Sequence, residues 1–237
     1  MSVLLITAAV TCNDPNTILD DAVERRASYV RACCWWLYNP AIEKIVVCEN
    51  TNDCLLSEQL SKLKIMAGKE IEHLSFQGDV QKTSTLGKGY GEGEIMRYAL
   101  MHSATLGSSL DGFYKITGRL IIENFQQLDS RIHRECNYFK LMATRLKHSR
   151  QVDTRFYYVQ PCFYRKMLLS CYEGVNDKEG RYLEHTYWEV LHKSHDVIGF
   201  PLYPQVCGYS ATTGLYYQSN WKKIFRQICL RLKLYDL

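Results

Sequence analysis

The first third of the sequence alternates short apolar runs with longer amphipathic segments, and this alternation constrains the fold more than any other feature. Apolar runs cover residues 3–7, 42–48 and 71–76. Helical periodicity covers residues 20–38 and 55–66 between them. Short apolar runs separated by helices are typical of buried parallel strands joined by crossovers. The sequence therefore predicts an α/β fold with a Rossmann-like, mostly parallel central sheet flanked by helices.

The rest of the chain predicts further elements and no division into separate units. A length of 237 residues suffices for one α/β domain with a substantial core. We expect one domain at residues 1–217 and a C-terminal amphipathic helix at residues 218–237. Within the domain, we expect Gly68 to end the second helix. The other predicted strands are a fourth strand at residues 112–116, which residues 120–122 continue after a turn, and a strand at residues 152–159. The other predicted elements are helices at residues 94–103, 163–172, 183–193 and 219–234, and an irregular segment at residues 201–217.

Composition excludes several classes of protein. The net charge of +4 is too small to indicate nucleic-acid binding. The ten cysteines form no C-x-x-C pair, which argues against zinc ribbons and thioredoxin-type sites. Cys48, Cys162 and Cys229 lie in apolar runs, so we expect them to be buried thiols in a reducing compartment. The first residues lack the basic region of a signal peptide, and no apolar stretch reaches spanning length, so we expect a cytoplasmic chain.

Polar residues follow the predicted strands at their carboxyl ends. Thr7 ends the first strand, and Glu49 and Asn50 follow the second. Ligands of open parallel sheets bind beyond these ends. We therefore predict that Thr7, Glu49 and Asn50 contribute to a ligand site.

A glycine-rich segment, GKGYGEGE at residues 87–94, follows the third predicted strand. Glycines allow the backbone to approach a ligand closely, and the amino terminus of a following helix attracts anions. Lys88 adds a positive charge, so Lys88, Gly89 and Gly91 are candidate binding residues. The segment is neither a P-loop nor a dinucleotide fingerprint. The alternative is a plain flexible loop.

The segment FYKITGRL at residues 113–120 places Lys115 and Arg119 around a turn at Gly118. Fixed cations at a strand end can hold a diphosphate and stabilise it as a leaving group. We therefore predict that Lys115, Gly118 and Arg119 bind an anionic ligand. The alternative is a solvated charge pair on a hairpin.

Two acidic residues in the second half of the chain are candidate general bases. Glu184 lies beside His185 at the entrance of a predicted helix, in the segment GRYLEHTYW. We predict that His185 is a catalytic residue that orients Glu184 or an acceptor hydroxyl. The alternative role of Glu184 is to interact with the helix dipole. Asp153 is the rival, but Arg155 lies two residues on, on the same face of a predicted strand. A structural ion pair is therefore the expected role of Asp153.

Taken together, these motifs resemble small GT-A glycosyltransferases of bacterial capsule and lipopolysaccharide loci. The matching segments run through most of residues 1–217. They are ENTND, LSFQGD, GKGYGEGE, FYKITGRL, VDTRFYYV and GRYLEHTYW. The resemblance implies transfer of a sugar from a nucleotide-sugar donor, a UDP-hexose, to a hydroxyl of a lipid-linked or growing surface glycan. It also implies inversion, with Glu184 as general base, and a donor nucleotide beside GKGYGEGE.

The sequence departs from this family at the metal site. In GT-A enzymes the fourth strand usually ends in an Asp-x-Asp that binds Mg²⁺ or Mn²⁺. Here KITGR occupies residues 115–119, and Asp-x-Asp occurs nowhere in the chain. We therefore expect no metal cofactor. The alternative is that distant carboxylates such as Glu49 or Asp53 converge on Mg²⁺ or Mn²⁺.

The last stretch of the chain concentrates basic residues. Residues 221–234, WKKIFRQICLRLKL, predict a basic amphipathic helix with aromatic anchors. Such a helix suits an anionic membrane surface, so we expect a peripheral protein at the inner face of the cytoplasmic membrane. The alternatives are a helix docked on the core and a non-enzymatic binding module whose basic tail contacts nucleic acid or a partner. Phosphoryl transfer is a weaker enzymatic alternative, because it requires a P-loop or acidic metal ligands and the sequence shows neither.

Overall fold

A computed structural model describes residues 2–12, 17–108, 111–144, 149–210, 214, 216 and 217. The predicted C-terminal helix at residues 218–237, its basic part at residues 221–234, and Cys229 lie outside the described residues.

The described chain alternates strands and helices. The strands are β1 (Ser2–Ala8), β2 (Ile42–Glu49), β3 (Glu70–Ser75), β4 (Phe113–Thr117), β5 (Leu120–Ile122), β6 (Asn137–Tyr138), β7 (Leu141–Thr144), β8 (Ser149–Val152), β9 (Phe156–Val159), β10 (Val197–Ile198) and β11 (Val206–Gly208). The α-helices are α1 (Ala22–Leu37), α2 (Cys54–Ala67), α3 (Val80–Leu86), α4 (Lys88–His102), α5 (Ala104–Ser108), α6 (Phe125–Asp129), α7 (Pro161–Met167) and α8 (Leu183–Leu191). Short 3₁₀ turns cover Cys171–Gly174 and Asp177–Glu179.

The central sheet has seven strands in the order β10-β6-β9-β4-β1-β2-β3. β1 runs parallel to both β2 and β4, and β2 runs parallel to β3. β9 is antiparallel to β4 and β6, and β10 is parallel to β6. The predicted α/β fold with a mostly parallel central sheet flanked by helices is therefore confirmed.

Helices cover the sheet on both faces, because successive strand residues point to opposite sides. From β1, Leu4 and Ile6 are buried with the aromatic rings of α1, the leucines of α2 and Phe125 of α6. Leu5, between them, is buried on the other side with Met96 of α4 and with the tyrosines of α7 and α8. Each face thus has its own apolar core.

Aspartates set the starts of the first helices. Asp21, Asp53 and Asp79 each accept a hydrogen bond from the backbone N–H three residues on, at 2.8, 2.6 and 2.9 Å. Gly68 ends α2 with a φ of 63°, as predicted. The predicted helices at residues 20–38 and 55–66 are confirmed as α1 and α2. Helix α3 was not predicted.

The glycine-rich segment is helical, so the predicted turn before a helix at residue 94 is wrong. Helix α4 already begins at Lys88. Gly87, at its start, has a φ of 107°, which favours glycine. A Cβ on Gly93 would overlap the side chain of Tyr172. The glycines therefore let neighbouring segments pack closely against α4.

Three further expectations need correction. The strand predicted at residues 152–159 is split into β8 and β9, with a turn between them. β5 does not continue β4 but pairs with β11 in a separate two-stranded sheet. Cys162 is exposed on α7, whereas Cys48 is buried as expected.

Among the helices that the structure describes, none combines the length and apolar character needed to cross a bilayer.

Candidate functional site

A cavity of about 310 Å³ opens beyond the carboxyl ends of β1 and β4. After β1 the chain builds β2 and β3 on one side, whereas β4 pairs with the other edge of β1. This reversal leaves a crevice of the kind in which open α/β sheets bind their ligands. Six of the predicted site residues line the cavity, and six do not. Those that line it are Thr7, Asn50, Lys88, Gly91, Arg119 and Glu184.

Arg119 presents a guanidinium to the cavity just after β4. Its Nη1 donates to the hydroxyl of Tyr29 at 2.7 Å, and the guanidinium lies 5.4 Å from the centre of that ring. Arg119 Nε is buried and has no partner among the described residues. Buried donors normally have a partner. Arg119 is therefore a cation whose position Tyr29 fixes at the cavity wall.

Gly118 shapes the turn that carries Arg119. Its N–H donates to the carbonyl of Thr7 at 2.9 Å. A Cβ would lie 2.6 Å from the same carbonyl oxygen, so only glycine fits. Gly118 thus holds β1 and β4 together and does not line the cavity, and its predicted binding role is replaced by a structural one.

Lys115 does not share the position of Arg119. It is fully buried, and its ammonium donates to Glu92, to Thr117 Oγ1 at 3.2 Å and to the Thr154 carbonyl at 2.7 Å. Lys115 lies within β4, before the turn. Because side chains alternate between the two faces of a strand, that of Lys115 points toward α4. The structure therefore does not bring Lys115 and Arg119 together as a diphosphate clamp.

Glu184 enters the cavity from the first turn of α8. Its Oε1 accepts a hydrogen bond from Thr154 Oγ1 at 2.9 Å. Burial raises the pKa of the Glu184 carboxyl above its ordinary value, and the nearby charge of Glu92 acts in the same direction. A buried carboxylate of this kind is a stronger base than an exposed one.

Glu92 is a second carboxylate in the cavity wall, and sequence reasoning missed it. It comes from α4, where Lys88, Gly91, Glu92 and Ile95 share one helical face and all line the cavity. This spacing was the available signal. It was hidden because the four glycines predicted a turn instead of a helix.

The backbone N–H of Gly89, at the amino terminus of α4, does not serve the cavity, contrary to the prediction. The Gly89 N–H donates to the carboxylate of Asp177 at 3.1 Å, so a side chain of the protein already occupies this helix end. Gly89 does not line the cavity. Asn50 does, and its Oδ1 is buried without a partner among the described residues.

Glu49 organises the neighbouring loops and does not line the cavity. Its carboxylate accepts hydrogen bonds from the Thr51 N–H at 2.6 Å, the Asp53 N–H at 3.1 Å and Ser75 Oγ at 3.2 Å. Asp53 caps α2 and forms a two-point ion pair with Arg26. Within the described part of the chain, no three His, Cys, Asp or Glu side chains gather as a metal site.

Asp153 lies behind the cavity in the turn between β8 and β9. Arg155 donates to both of its oxygens, at 2.7 and 2.6 Å, and the Lys140 ammonium is 3.4 Å away. Burial acts to raise the pKa of Asp153, but the two cations hold it below its ordinary value. Arg155 itself lines the cavity, with its guanidinium 4.9 Å from the ring of Tyr217.

His185 faces away from the cavity, which corrects its predicted role beside Glu184. It lines a separate groove with Trp188 and His192. Its Nδ1 accepts from the Tyr182 N–H at 3.2 Å. Neighbouring residues of a helix point in different directions, so adjacency in sequence does not bring His185 to the carboxylate of Glu184.

No protein-family model matches this chain, and no curated protein matches it. The solved structures that are similar to it include two of the glycosyltransferase GlyE of Streptococcus pneumoniae TIGR4. The first has a TM-score of 0.47 and 9% identity over 84% of this chain and 45% of that chain. The apo form has a TM-score of 0.41 and 11% identity over 70% and 35%. This chain therefore spans less than half of either structure, and likeness at this level carries no argument about activity.

Proposed function

We propose that this chain is a glycosyltransferase that moves a sugar from a nucleotide-sugar donor to a hydroxyl of an acceptor. The observation that carries the proposal is that Arg119, from the turn after β4, and Glu184, from α8, line one cavity. Arg119 is held against α1 through Tyr29, and Glu184 belongs to α8. A cation and a base facing one crevice are what glycosyl transfer needs.

The chemistry assigns one role to each side. The Glu184 carboxylate takes the proton of the acceptor hydroxyl while the oxygen of that hydroxyl attacks the anomeric carbon of the donor. The bond between that carbon and the diphosphate breaks, and the nucleoside diphosphate leaves with the bonding electrons. Arg119 stabilises the negative charge that develops on this leaving group. A single base on the acceptor side supports inversion of configuration.

The finer identity of donor and acceptor rests on the sequence resemblance. It supports a UDP-hexose as donor and a lipid-linked or growing bacterial surface glycan as acceptor. Threonine hydroxyls of the lining suit hydroxyl-rich ligands, and the lining carries more cations than carboxylates, which suits a diphosphate. The lining threonines are Thr7, Thr11, Thr17, Thr51, Thr83, Thr117 and Thr154.

We also propose that transfer needs no metal ion and that residues 221–234 bring the enzyme to an anionic membrane surface. Arg119 supplies positive charge near the expected diphosphate. Activity that EDTA abolishes and Mn²⁺ restores would contradict the first proposal. For the second, removal of residues 221–237 should reduce binding to anionic liposomes, and unchanged binding would contradict it.

A ligand screen tests the main proposal. UDP, GDP and CMP, and their sugar conjugates, are added to the full chain while thermal unfolding is followed. A ligand present at about 100 times its Kd stabilises the folded state by about 2.7 kcal/mol. We expect one nucleotide and its sugar conjugate to raise the Tm, and mass spectrometry to detect glycosylated acceptor. Absence of stabilisation by every nucleotide would contradict the proposal.

A further inference from the structure

The proposed transfer assigns no role to Glu92, one of the charged residues of the cavity. Glu92 lines the cavity from α4, and its side chain is 25% exposed. The ammonium of Lys115, which is 0% exposed, donates to its Oε1. Neither the base chemistry of Glu184 nor the diphosphate contact of Arg119 uses this ion pair.

All the hydrogen-bond donors of the Lys115 ammonium are used within the protein. An ammonium has three N–H donors, and here they meet Glu92, Thr117 Oγ1 and the Thr154 carbonyl. Burying an ammonium costs several kcal/mol, and apolar residues of similar volume often stabilise a fold as well or better. The pair is therefore weak evidence for stability and suggests a demand for a carboxylate at Glu92.

Glu92 lines the cavity and can accept further hydrogen bonds besides the one from Lys115. An ionised carboxylate offers about four lone-pair sites, of which Lys115 occupies one. Hydroxyl groups are suitable donors to the other lone-pair sites of Glu92, whereas the negative charge of a phosphate is repelled by the carboxylate. Glu184, the other carboxylate of the described lining, is linked to the same cluster, because Thr154 donates to it at 2.9 Å. The carboxylates therefore lie together, where the sugar and not the diphosphate fits.

We propose that Glu92 binds hydroxyl groups of the transferred sugar and so selects the donor, with Lys115 as the positioning residue that holds it. This inference rests on the proposed glycosyl transfer. A site built to accept hydrogen bonds from a sugar hydroxyl leaves a buried carboxylate unpaired when that hydroxyl is missing. Glu92 is thus a specificity residue, and Glu184 remains the base, because no ammonium occupies its oxygens among the described contacts.

The experiment compares a nucleotide with its sugar conjugate by titration calorimetry. The probes are UDP and whichever of UDP-glucose, UDP-galactose and UDP-N-acetylglucosamine binds wild type most tightly. Glu92→Gln should weaken binding of the sugar conjugate about tenfold or more, through loss of a charged acceptor, and leave binding of UDP as in wild type. The matched control is Glu58→Gln on the exposed face of α2, which should bind both probes normally.

A deoxy analogue of the sugar separates recognition from a merely structural role. Wild type should lose affinity for the analogue that lacks the contacted hydroxyl, whereas Glu92→Gln should bind analogue and parent equally. If Glu92→Gln leaves Lys115 unpaired and fails to fold, the double variant Glu92→Gln, Lys115→Met removes both charges and is measured instead. Equal loss for UDP and UDP-hexose, or no loss for either, overturns the inference. If wild type binds no probe, the proposed donor is wrong and the inference falls with it.

Discussion

The two sides of the cavity hold their charged groups in different ways. On the side of α1, Arg25 and Arg119 are arranged around Tyr29, and Arg119 keeps a buried N–H without a partner. On the side of α4 and α8, Glu92 and Glu184 are held by Lys115 and Thr154. Both carboxylates of the described lining thus come from one side. Lys88 of α4 and Arg155 also line the cavity, so the two sides differ in their carboxylates and not in their cations. We expect the carboxylates to keep the diphosphate of a donor on the side of Arg119, with its sugar toward Glu92 and Glu184.

The largest expected effect comes from the acidic side. Glu184→Gln keeps the size of the side chain and removes the proposed base, so turnover should fall by about two to four orders of magnitude. Donor affinity should stay close to that of wild type, because Arg119, the proposed diphosphate contact, lies on the other side. Initial rates and donor titrations measure the two quantities.

A variant of the next residue is the matched control for this substitution. His185 lines a separate groove, so His185→Asn should retain near-normal turnover. An equal loss in both variants would show that the start of α8 matters as a whole and that Glu184 is not the specific base.

The next largest effect concerns the carboxylate behind the cavity. Asp153 is 8% exposed, and Asp153→Asn leaves Arg155 without its ion pair, which should cost about 3 kcal/mol in the free energy of unfolding. Because the pKa of Asp153 is lowered in the folded state, its contribution is present at neutral pH and lost as the pH falls. Urea unfolding at neutral and acid pH measures both. A folded but inactive Asp153→Asn would instead make Asp153 the base.

Comparison of these residues shows what the sequence could predict. The three apolar runs that became β1 to β3, and the strand at residues 112–116 that became β4, were correctly predicted, since a buried parallel strand is a local pattern. The ion pair of Asp153 with Arg155 was also expected, because its partners lie two residues apart. The residues lie in a turn and not in a strand, but the short separation still brings them together.

Long-range contacts explain the errors. Lys115 looked equivalent to Arg119 because its partner, Glu92, lies on another element. The glycines of α4 predicted a turn, although their reason is the close approach of Tyr172 and of the Asp177 carboxylate from much later in the chain. No local pattern specifies such packing. The same limit hid Glu92 as a site residue.

A smaller effect is expected from the cationic side. Arg119→Ala removes the proposed charge-assisted contact with the diphosphate, worth roughly 1.5–3 kcal/mol, so nucleotide affinity should fall about tenfold or more. The control is Arg31→Ala, an exposed arginine of α1 outside the cavity. Calorimetric titration with the nucleotide gives the comparison. Unchanged affinity in Arg119→Ala would mean that the diphosphate binds elsewhere.

The smallest effect tests the cost of keeping Glu184 charged. Burial raises its pKa above the ordinary value of 4.5, so the folded protein holds this proton more tightly than the unfolded chain. The favourable contribution is therefore present below pH 4.5 and is lost as the pH rises through the folded pKa. At neutral pH wild type bears a buried charge that Glu184→Gln lacks, so the variant should have the higher Tm. The difference should shrink toward zero in acid, where both side chains are neutral.

Tm measured from acid to neutral pH tests this, with Glu58→Gln as the exposed control. A Tm advantage that is independent of pH would show that packing, and not charge, separates the two proteins. A variant less stable than wild type at neutral pH would show that the charged form is favoured in the fold, and Glu184 would then be a poor base.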